Sequence, residues 1–440
     1  MHTLTQKSRL ISHAKSMTST KKVTYRRPKN NVGGLNFGPT SVAEFLAQFW
    51  QQKPLLLRRF VDPGSVNTGL ESLLSFAQQD DISSRLIRVR KQDWSMQEGP
   101  FDALPSLRTK QWTILLQGMD RSLDQAYALR LAFGFLPHAR IDDVMISVAS
   151  AGGGVGAHLD EYDVFLVQGH GQRRWRWGYQ SDHRFQTNKP LKLLERFEPQ
   201  FEAVLEPGDC LYLPPRWAHE GVALSPCSTW SVGFRAPSRQ EFLQYFLLEA
   251  AESVSGANPR YQDMRLAKTK QAGRIPIALA EQLKQWAMSF RSEQPLVEQA
   301  LGRFLSEPAA NAWFESPAKS LSKRQWLSKA LAFGLALHPA SRMVYDNKSV
   351  WLNGEILARP CPLLRQLADQ RYIHANQLKK SLPENMTNAL SNAPTKHFDP
   401  VTKRQDAREC KKTVEFQPLF DSLFGCYQQG SIRFWSEKHS

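Results

Sequence analysis

Between Gly152 and Asp160 the chain reads GGGVGAHLD, which sets His158 and Asp160 two residues apart behind a glycine-rich turn. In an extended strand, side chains i and i+2 project to the same face, so an imidazole and a carboxylate at this spacing offer two ligand atoms to one ion. His219, in LYLPPRWAHEG, is the candidate third ligand. Two imidazoles and one carboxylate on three corners, with the other positions open, suit non-haem Fe(II) and its chemistry with O2. Spacing alone is weak support: with 11 His and 41 Asp or Glu in 440 residues, roughly one His-x-Asp/Glu arises by chance. A second pair, His397 and Asp399 in TKHFDP, lacks any alternating apolar pattern and reads as a loop. The first pair has strand-like RIDDVMISVA before it and YDVFLVQG after it.

A metal of this kind leaves room for a chelating 2-oxo acid, whose far carboxylate needs a buried Arg or Lys. In QRRWRWG, a period of two puts Gln172, Arg174 and Arg176 on one face and Arg173, Trp175 and Trp177 on the other. Arg173 is therefore the charge on the aromatic face. Buried, it requires an anion, and the carboxylate of 2-oxoglutarate would supply one; a structural salt bridge, or a bulge that reverses the parity, is the alternative. Ser147, on the strand before the histidine, offers a hydroxyl to the same co-substrate or is a satisfied core serine. Asp142 and Glu161 flank the expected mouth and suit a cationic side chain, or are ordinary surface carboxylates. His170 and His183 lack strand partners at ligand spacing and read as surface residues.

The elements that must position these groups follow from periodicity. SVAEFLAQFWQQ is helical, KPLLLRRF, RLIRVR and WTILLQG are strand candidates, and SLDQAYALRLAFGFL at 122–136 is a helix. From about 140 come RIDDVMISVA, HLDEYDVFLVQG, QRRWRWG, FEAVLEPGD, CLYLPP, HEGVAL and STWSVGFRAP, divided by Gly/Pro turns. That order predicts an α+β chain built on a double-stranded β-helix, the jelly-roll of cupins, whose mouth is a common ligand site. Residues 35–237 are assigned to this unit. Residues 238–310 read as helices whose apolar faces pair either with a second copy, giving a homodimer, or with one another. Residues 311–440 carry helices, the hairpin VYDNKSVWLNGEIL and a final helix-plus-strand, which resembles a winged helix, with SNAPTKHFDPVTKRQDARECKK as an inserted polar loop.

Composition narrows the function classes. Hydrophobic residues at 41% and charged residues at 22% describe a globular chain, and no run reaches the roughly 20 apolar residues of a membrane helix. The five scattered cysteines form no CxxC pair, which argues against a disulfide framework or a zinc knuckle and for a reducing, cytoplasmic setting. The net charge of +16 points to an acidic partner, nucleic acid or a nucleoprotein particle, with a merely basic surface as the alternative. Residues 1–34 hold eight Lys/Arg and no acid and read as a basic, disordered extension.

Taken together, RIDDVMIS, GGGVGAHLDEYDVFLVQG, RRWRWG, LEPGDCLYLPPRWAHEG and SVGFRAP resemble the bacterial ribosomal oxygenases of the Jumonji C class, over most of the chain. The resemblance implies an Fe(II)- and 2-oxoglutarate-dependent hydroxylase acting on an arginine of a large-subunit ribosomal protein. It further implies a helical dimerisation region and a winged-helix-like C-terminal domain. By motif it assigns His158, Asp160 and His219 to the metal, Arg173 to the co-substrate carboxylate and, less directly, Ser147 to the co-substrate. Ribosomal RNA is an expected further contact. The competing expectations are a cupin metalloenzyme independent of 2-oxo acid, demethylation by the same iron chemistry, and a non-catalytic nucleic-acid-binding scaffold.

Overall fold

A computed structural model describes residues 34–90, 93–252, 260–262, 275–289, 294–381 and 407–435. Residues 1–33 of the basic extension, together with His397 and Asp399, lie outside them. Helix α1 (Val42–Gln48) starts at a capping box in which Ser41 and Glu44 satisfy each other's backbone N–H groups. Strand β1 (Leu55–Leu57), helix α2 (Leu70–Leu74), strands β2 (Ser84–Arg90), β3 (Asp93–Glu98) and β4 (Trp112–Leu116) and helix α3 (Asp124–Ala132) lead into the jelly-roll. Its strands are β5 (Ile141–Ala149), β6 (Val164–His170), β7 (Arg173–Tyr179), β8 (Phe201–Leu205), β9 (Cys210–Leu213), β10 (Trp217–Ala223) and β11 (Cys227–Phe234).

Two antiparallel sheets face each other, one ordered β1-β9-β6-β11-β5-β4-β2-β3 and the other β10-β7-β8. Alternation along the strands explains why both faces of the large sheet are apolar. Val164 and Leu166 of β6 and Leu211 and Leu213 of β9 point inward against Trp175, Trp177 and Leu205. Their neighbours Phe165, Val167, Cys210 and Tyr212 point outward and are buried with Phe45 of α1 and Leu129 of α3. At roughly 1.5–3 kcal/mol per fully buried large side chain, these two layers dominate the stability of the unit.

Two local differences from the expected elements matter for the site. HLDEYD is not strand: β6 begins at Val164, and His158 makes only an isolated antiparallel bridge with His219. The cause is the pair of N–H bonds that the two histidine backbones exchange, which leaves Leu159 to Asp163 as a loop. Strand β3, DWSMQE, was not anticipated, since its apolar alternation is a single pair, Trp94 and Met96, too short to mark a strand.

Beyond Pro237 come helices α4 (Arg239–Glu252), α5 (Ile277–Ser289), α6 (Gln294–Ser306), α7 (Lys323–Phe333), α8 (Pro362–Gln370), α9 (Ala375–Ser381) and α10 (Ala407–Gln428). Because α10 starts at Ala407, the end of the expected polar loop is helical. The strands β12 (Leu335–Leu337), β16 (Tyr372–Ile373) and β17 (Ile432–Phe434) pair in the order β16-β12-β17. Strands β13 (Met343–Tyr345), β14 (Val350–Leu352) and β15 (Glu355–Ala358) form the wing. Helix α6 joins the two halves. It packs on α4 through Phe246, Ala250 and Ala300, and Gly302 lets it approach β14 so closely that a Cβ there would lie 2.1 Å from the Trp351 ring. No helix of the described residues is long and apolar enough to cross a membrane.

Candidate functional site

The loop from Ser150 to His158 crosses the open end of the two sheets. Gly154 permits this, since a Cβ at that position would come within 2.5 Å of the Gly221 carbonyl of β10. The reciprocal backbone bonds His158 N–H to His219 O (3.1 Å) and His219 N–H to His158 O (3.0 Å) then bring the two rings to a centroid distance of 4.2 Å. Each ring is aimed by the carbonyl two residues before it: Nδ1 of His158 donates to Gly156 O and Nδ1 of His219 to Trp217 O, both at 3.0 Å. This fixes the tautomer that leaves each Nε2 lone pair unprotonated, the form a cation requires. Burial, and then the neighbouring His158, push the His219 imidazole down to about 4, so it is neutral at physiological pH.

Asp160 completes the cluster, with Oδ2 3.9 Å from His158 Nε2 and 3.6 Å from His219 Nε2. One ligand atom from each of the three residues lies within 4.8 Å of the others. Its loop is pinned at both ends. Arg216 N–H donates to Asp160 O at 2.8 Å, and the buried Asp163 carboxylate accepts from Tyr212 OH (2.7 Å) and Gln51 Nε2 (3.1 Å). The donor set, two imidazoles and one carboxylate on one side of a common point, fits a divalent first-row ion with open positions.

These residues line a cavity of about 1100 Å³ between the sheets. Strand β7 has the expected parity, with Arg173, Trp175 and Trp177 buried and Arg174 and Arg176 half-exposed. Arg173, 4% exposed, reaches the cavity and donates Nη1 to Ser147 Oγ at 3.1 Å. Among the described residues its Nε and Nη2 have no hydrogen-bond partner. A buried guanidinium with two unanswered nitrogens, lining the same cavity as the cluster, has the chemistry to receive a carboxylate.

At the rim the outcome is mixed. Asp142 and Glu161 both border the cavity and both are exposed. Asp142 is held by Arg342 at 2.8 Å, and Glu161 lies 3.9 Å from Arg216. His170 is exposed and His183 half-buried, its Nε2 donating to Gln180 O; neither borders the cavity.

A family model described as a JmjC domain matches residues 128–242, and one described as a ROXA-like winged helix matches 282–392. The ribosomal protein uL16 3-hydroxylase of Escherichia coli (strain K12) is 34% identical over 269 residues, which span 60% of this chain and 71% of that protein. The chain belongs to the JmjC ribosomal oxygenases. A probable ribosomal oxygenase of Haemophilus influenzae is 37% identical over 203 residues, or 44% of this chain and 49% of that one. The structure of the Escherichia coli ribosomal oxygenase YcfD in complex with cobalt and 2-oxoglutarate superposes with a TM-score of 0.68 at 27% identity, covering 91% of this chain and 99% of that one.

Two cavity residues of this ribosomal oxygenase escaped the sequence reading. Asp143, not only its neighbour Asp142, shares the cavity face of β5 with Met145 and Ser147; counting in twos back from Ser147 would have found it. Its Oδ2 accepts from Gln117 Nε2 (2.7 Å) and Gly118 N–H (2.8 Å). Burial first, then the Asp120 and Asp142 charges, push its carboxyl up to about 6. The second is Tyr162, whose phenol also borders the cavity. Burial and hydrogen bonding to the Asp160 carboxylate keep it protonated, above its ordinary range.

Proposed function

We propose that this ribosomal oxygenase uses Fe(II), 2-oxoglutarate and O2 to hydroxylate an arginine side chain of a large-subunit ribosomal protein. The observation that carries the reading is the His158–Asp160–His219 cluster facing, across one cavity, a buried Arg173 with two unfilled donors. In this reading His158, Asp160 and His219 hold the iron, Arg173 takes the distal carboxylate of 2-oxoglutarate and Ser147 orients that guanidinium through its hydroxyl. Iron and 2-oxoglutarate together supply O2-dependent oxidation of a C–H bond. The chain's own residues position the reactants: Trp175 and Leu166 give the cavity apolar walls that exclude water, and Arg173 fixes the direction of the co-substrate.

The arginine is supported by Asp143. A half-buried carboxylate on the cavity face, with only neutral donors among the described residues, suits a guanidinium through charge-assisted hydrogen bonds. Glu161 would extend that acidic side at the rim, where Asp142 is already held by Arg342. The name of the Escherichia coli relative supports a large-subunit ribosomal protein as the carrier of the target. The test is incubation of the protein with Fe(II), 2-oxoglutarate and ribosomal proteins, followed by peptide mass spectrometry. A gain of one oxygen atom on an arginine supports the reading; formaldehyde release without that gain would replace it by demethylation.

Only ionised Asp143 attracts a cation, and its carboxyl titrates at about 6. The kcat/KM for the protein substrate should therefore fall as pH drops through that value. In Asp143→Asn this acid limb should vanish and KM should be raised about tenfold or more at neutral pH. An unchanged profile in the variant would remove Asp143 from substrate binding.

A homodimer is part of the proposal. Leu247 and Leu248 of α4 and Ile277, Leu283 and Met288 of α5 are exposed, more apolar surface than two helices ordinarily leave in water. Leu247→Glu combined with Leu283→Glu should shift the light-scattering mass from two chains to one. A cytoplasmic location and ribosomal RNA contact through the +16 charge complete the reading, and ribosome association should weaken as salt is raised.

A further inference from the structure

The C-terminal elements rest on the oxygenase core through charged groups, and the segment His338–Arg342 is where these converge. Arg130 of α3 donates Nη1 to Pro339 O at 3.1 Å. Arg371 donates Nε to Tyr127 OH at 3.0 Å and Nη2 to the carbonyls of His338, Pro339 and Ser341 at 3.0, 3.2 and 2.8 Å. Both guanidiniums are buried. This face of the winged helix is committed to its own chain.

From the end of that segment Arg342 reaches back to β5. Its Nη2 binds Asp142 twice, at the carboxylate Oδ1 (2.8 Å) and at the carbonyl O (3.2 Å). Its own N–H is held by Asn353 Oδ1 at 2.9 Å. Asp142 is followed at once by Asp143, and both adjoin a polar cavity of about 210 Å³ that also contains Asp120 and Arg130. Three carboxylates thus crowd one end of β5. Arg130 lies 3.5 Å from Asp120 and Arg342 2.8 Å from Asp142. Among the described residues Asp143 has no such cation, only the Gln117 amide and the Gly118 N–H.

We propose that Arg342 is a positioning residue for substrate: by occupying Asp142 and fixing the start of β5, it leaves Asp143 as the carboxylate presented to the incoming guanidinium. The inference rests on the arginine reading above. Without Arg342, Asp142 would be free to bind the same guanidinium at the rim, in a place too shallow to bring it to the metal. The second negative charge would also oppose ionisation of Asp143.

Arg342→Met keeps the apolar stem of the side chain and removes the guanidinium with its charge and donors. It should raise KM for the protein substrate about tenfold, leave kcat within about twofold and leave KM for 2-oxoglutarate unchanged. Arg342→Lys should restore most of the loss. The double variant Arg342→Met/Asp142→Asn should also recover, because the competing carboxylate is gone; a merely structural joint would not be mended by a second lesion. The 13C-methyl resonance of Met145, on the cavity face beside Asp143, gives a readout without substrate. It should move in Arg342→Met and return in Arg342→Lys. If the wild-type protein hydroxylates no arginine, the functional reading fails, and this resonance still decides the role of Arg342. An unmoved Met145 signal, an unchanged KM, or a joint fall of kcat and thermal stability that neither Lys nor the double variant relieves would overturn the proposal.

Discussion

Asp160→Ala is expected to abolish metal capture and hydroxylation together. The carboxylate is the only anionic member of the cluster and sits 3.6 and 3.9 Å from the two imidazole Nε2 atoms. Losing groups that merely orient a ligand costs about 10- to 100-fold, so losing a ligand itself should lower turnover by about three orders of magnitude or more. The fold should survive, since the residue is in a loop whose course is set by Arg216 N–H on the Asp160 carbonyl and by the hydrogen bonds of Asp163. Elemental analysis should show iron at background and calorimetry a melting temperature within a few degrees of the wild type. A variant that hydroxylates at an appreciable rate would remove Asp160 from the site.

Arg173→Met should strip the protein of its response to 2-oxoglutarate. The guanidinium is 4% exposed with two N–H groups unanswered, so in the free protein it carries a desolvation cost that the co-substrate carboxylate would offset. Truncating one partner of a buried charge pair costs about 2–5 kcal/mol, which corresponds to a KM for 2-oxoglutarate raised about 30-fold to several thousand-fold. The sign for stability is opposite. Without co-substrate, Arg173→Met should melt at or above the wild-type temperature, and the rise that 2-oxoglutarate produces in the wild type should be lost. Arg173→Lys should recover part of the affinity, as one ammonium replaces a fork that matches a carboxylate with two bonds. A large destabilisation of the co-substrate-free variant would instead make Arg173 a structural residue bound to Ser147.

Side-chain type and period-two alternation were enough to bring out His158, Asp160, His219 and Arg173, because each lies in or beside a strand whose apolar neighbours declare which face is inside. Asp142 came from its place near the expected mouth and not from parity; counting β5 in twos back from Ser147 gives Asp143 instead, because an exposed and an inward acid next to each other differ only in parity. His158 shows the opposite case. The spacing suggested a strand, yet one backbone bridge and a glycine-rich loop do the same work, and sequence periodicity does not separate the two. The jelly-roll order was legible from its turns, whereas β3 was not, its apolar alternation being the single pair Trp94 and Met96. Least legible was the docking of the C-terminal elements: the pairs Arg342–Asp142 and Arg371–Tyr127 are 200 and 244 residues apart, and nothing local marks either partner.

The hydrogen bond from each imidazole Nδ1 to the carbonyl two residues earlier has a consequence for ion selectivity. Both rings are oriented within three-residue stretches of chain, so the cost of ordering them is met as the protein folds and not when an ion arrives. A preset half-shell of two nitrogens and an oxygen leaves the opposite hemisphere to water or co-substrate, and therefore imposes little on the ion beyond a preference for imidazole. Manganese should therefore bind there more weakly than iron, and cobalt and nickel more tightly, following the general order for first-row ions. Which ion occupies the centre is then decided by cellular supply, and substitution by an inert ion becomes the natural route to a trapped complex with intact substrates.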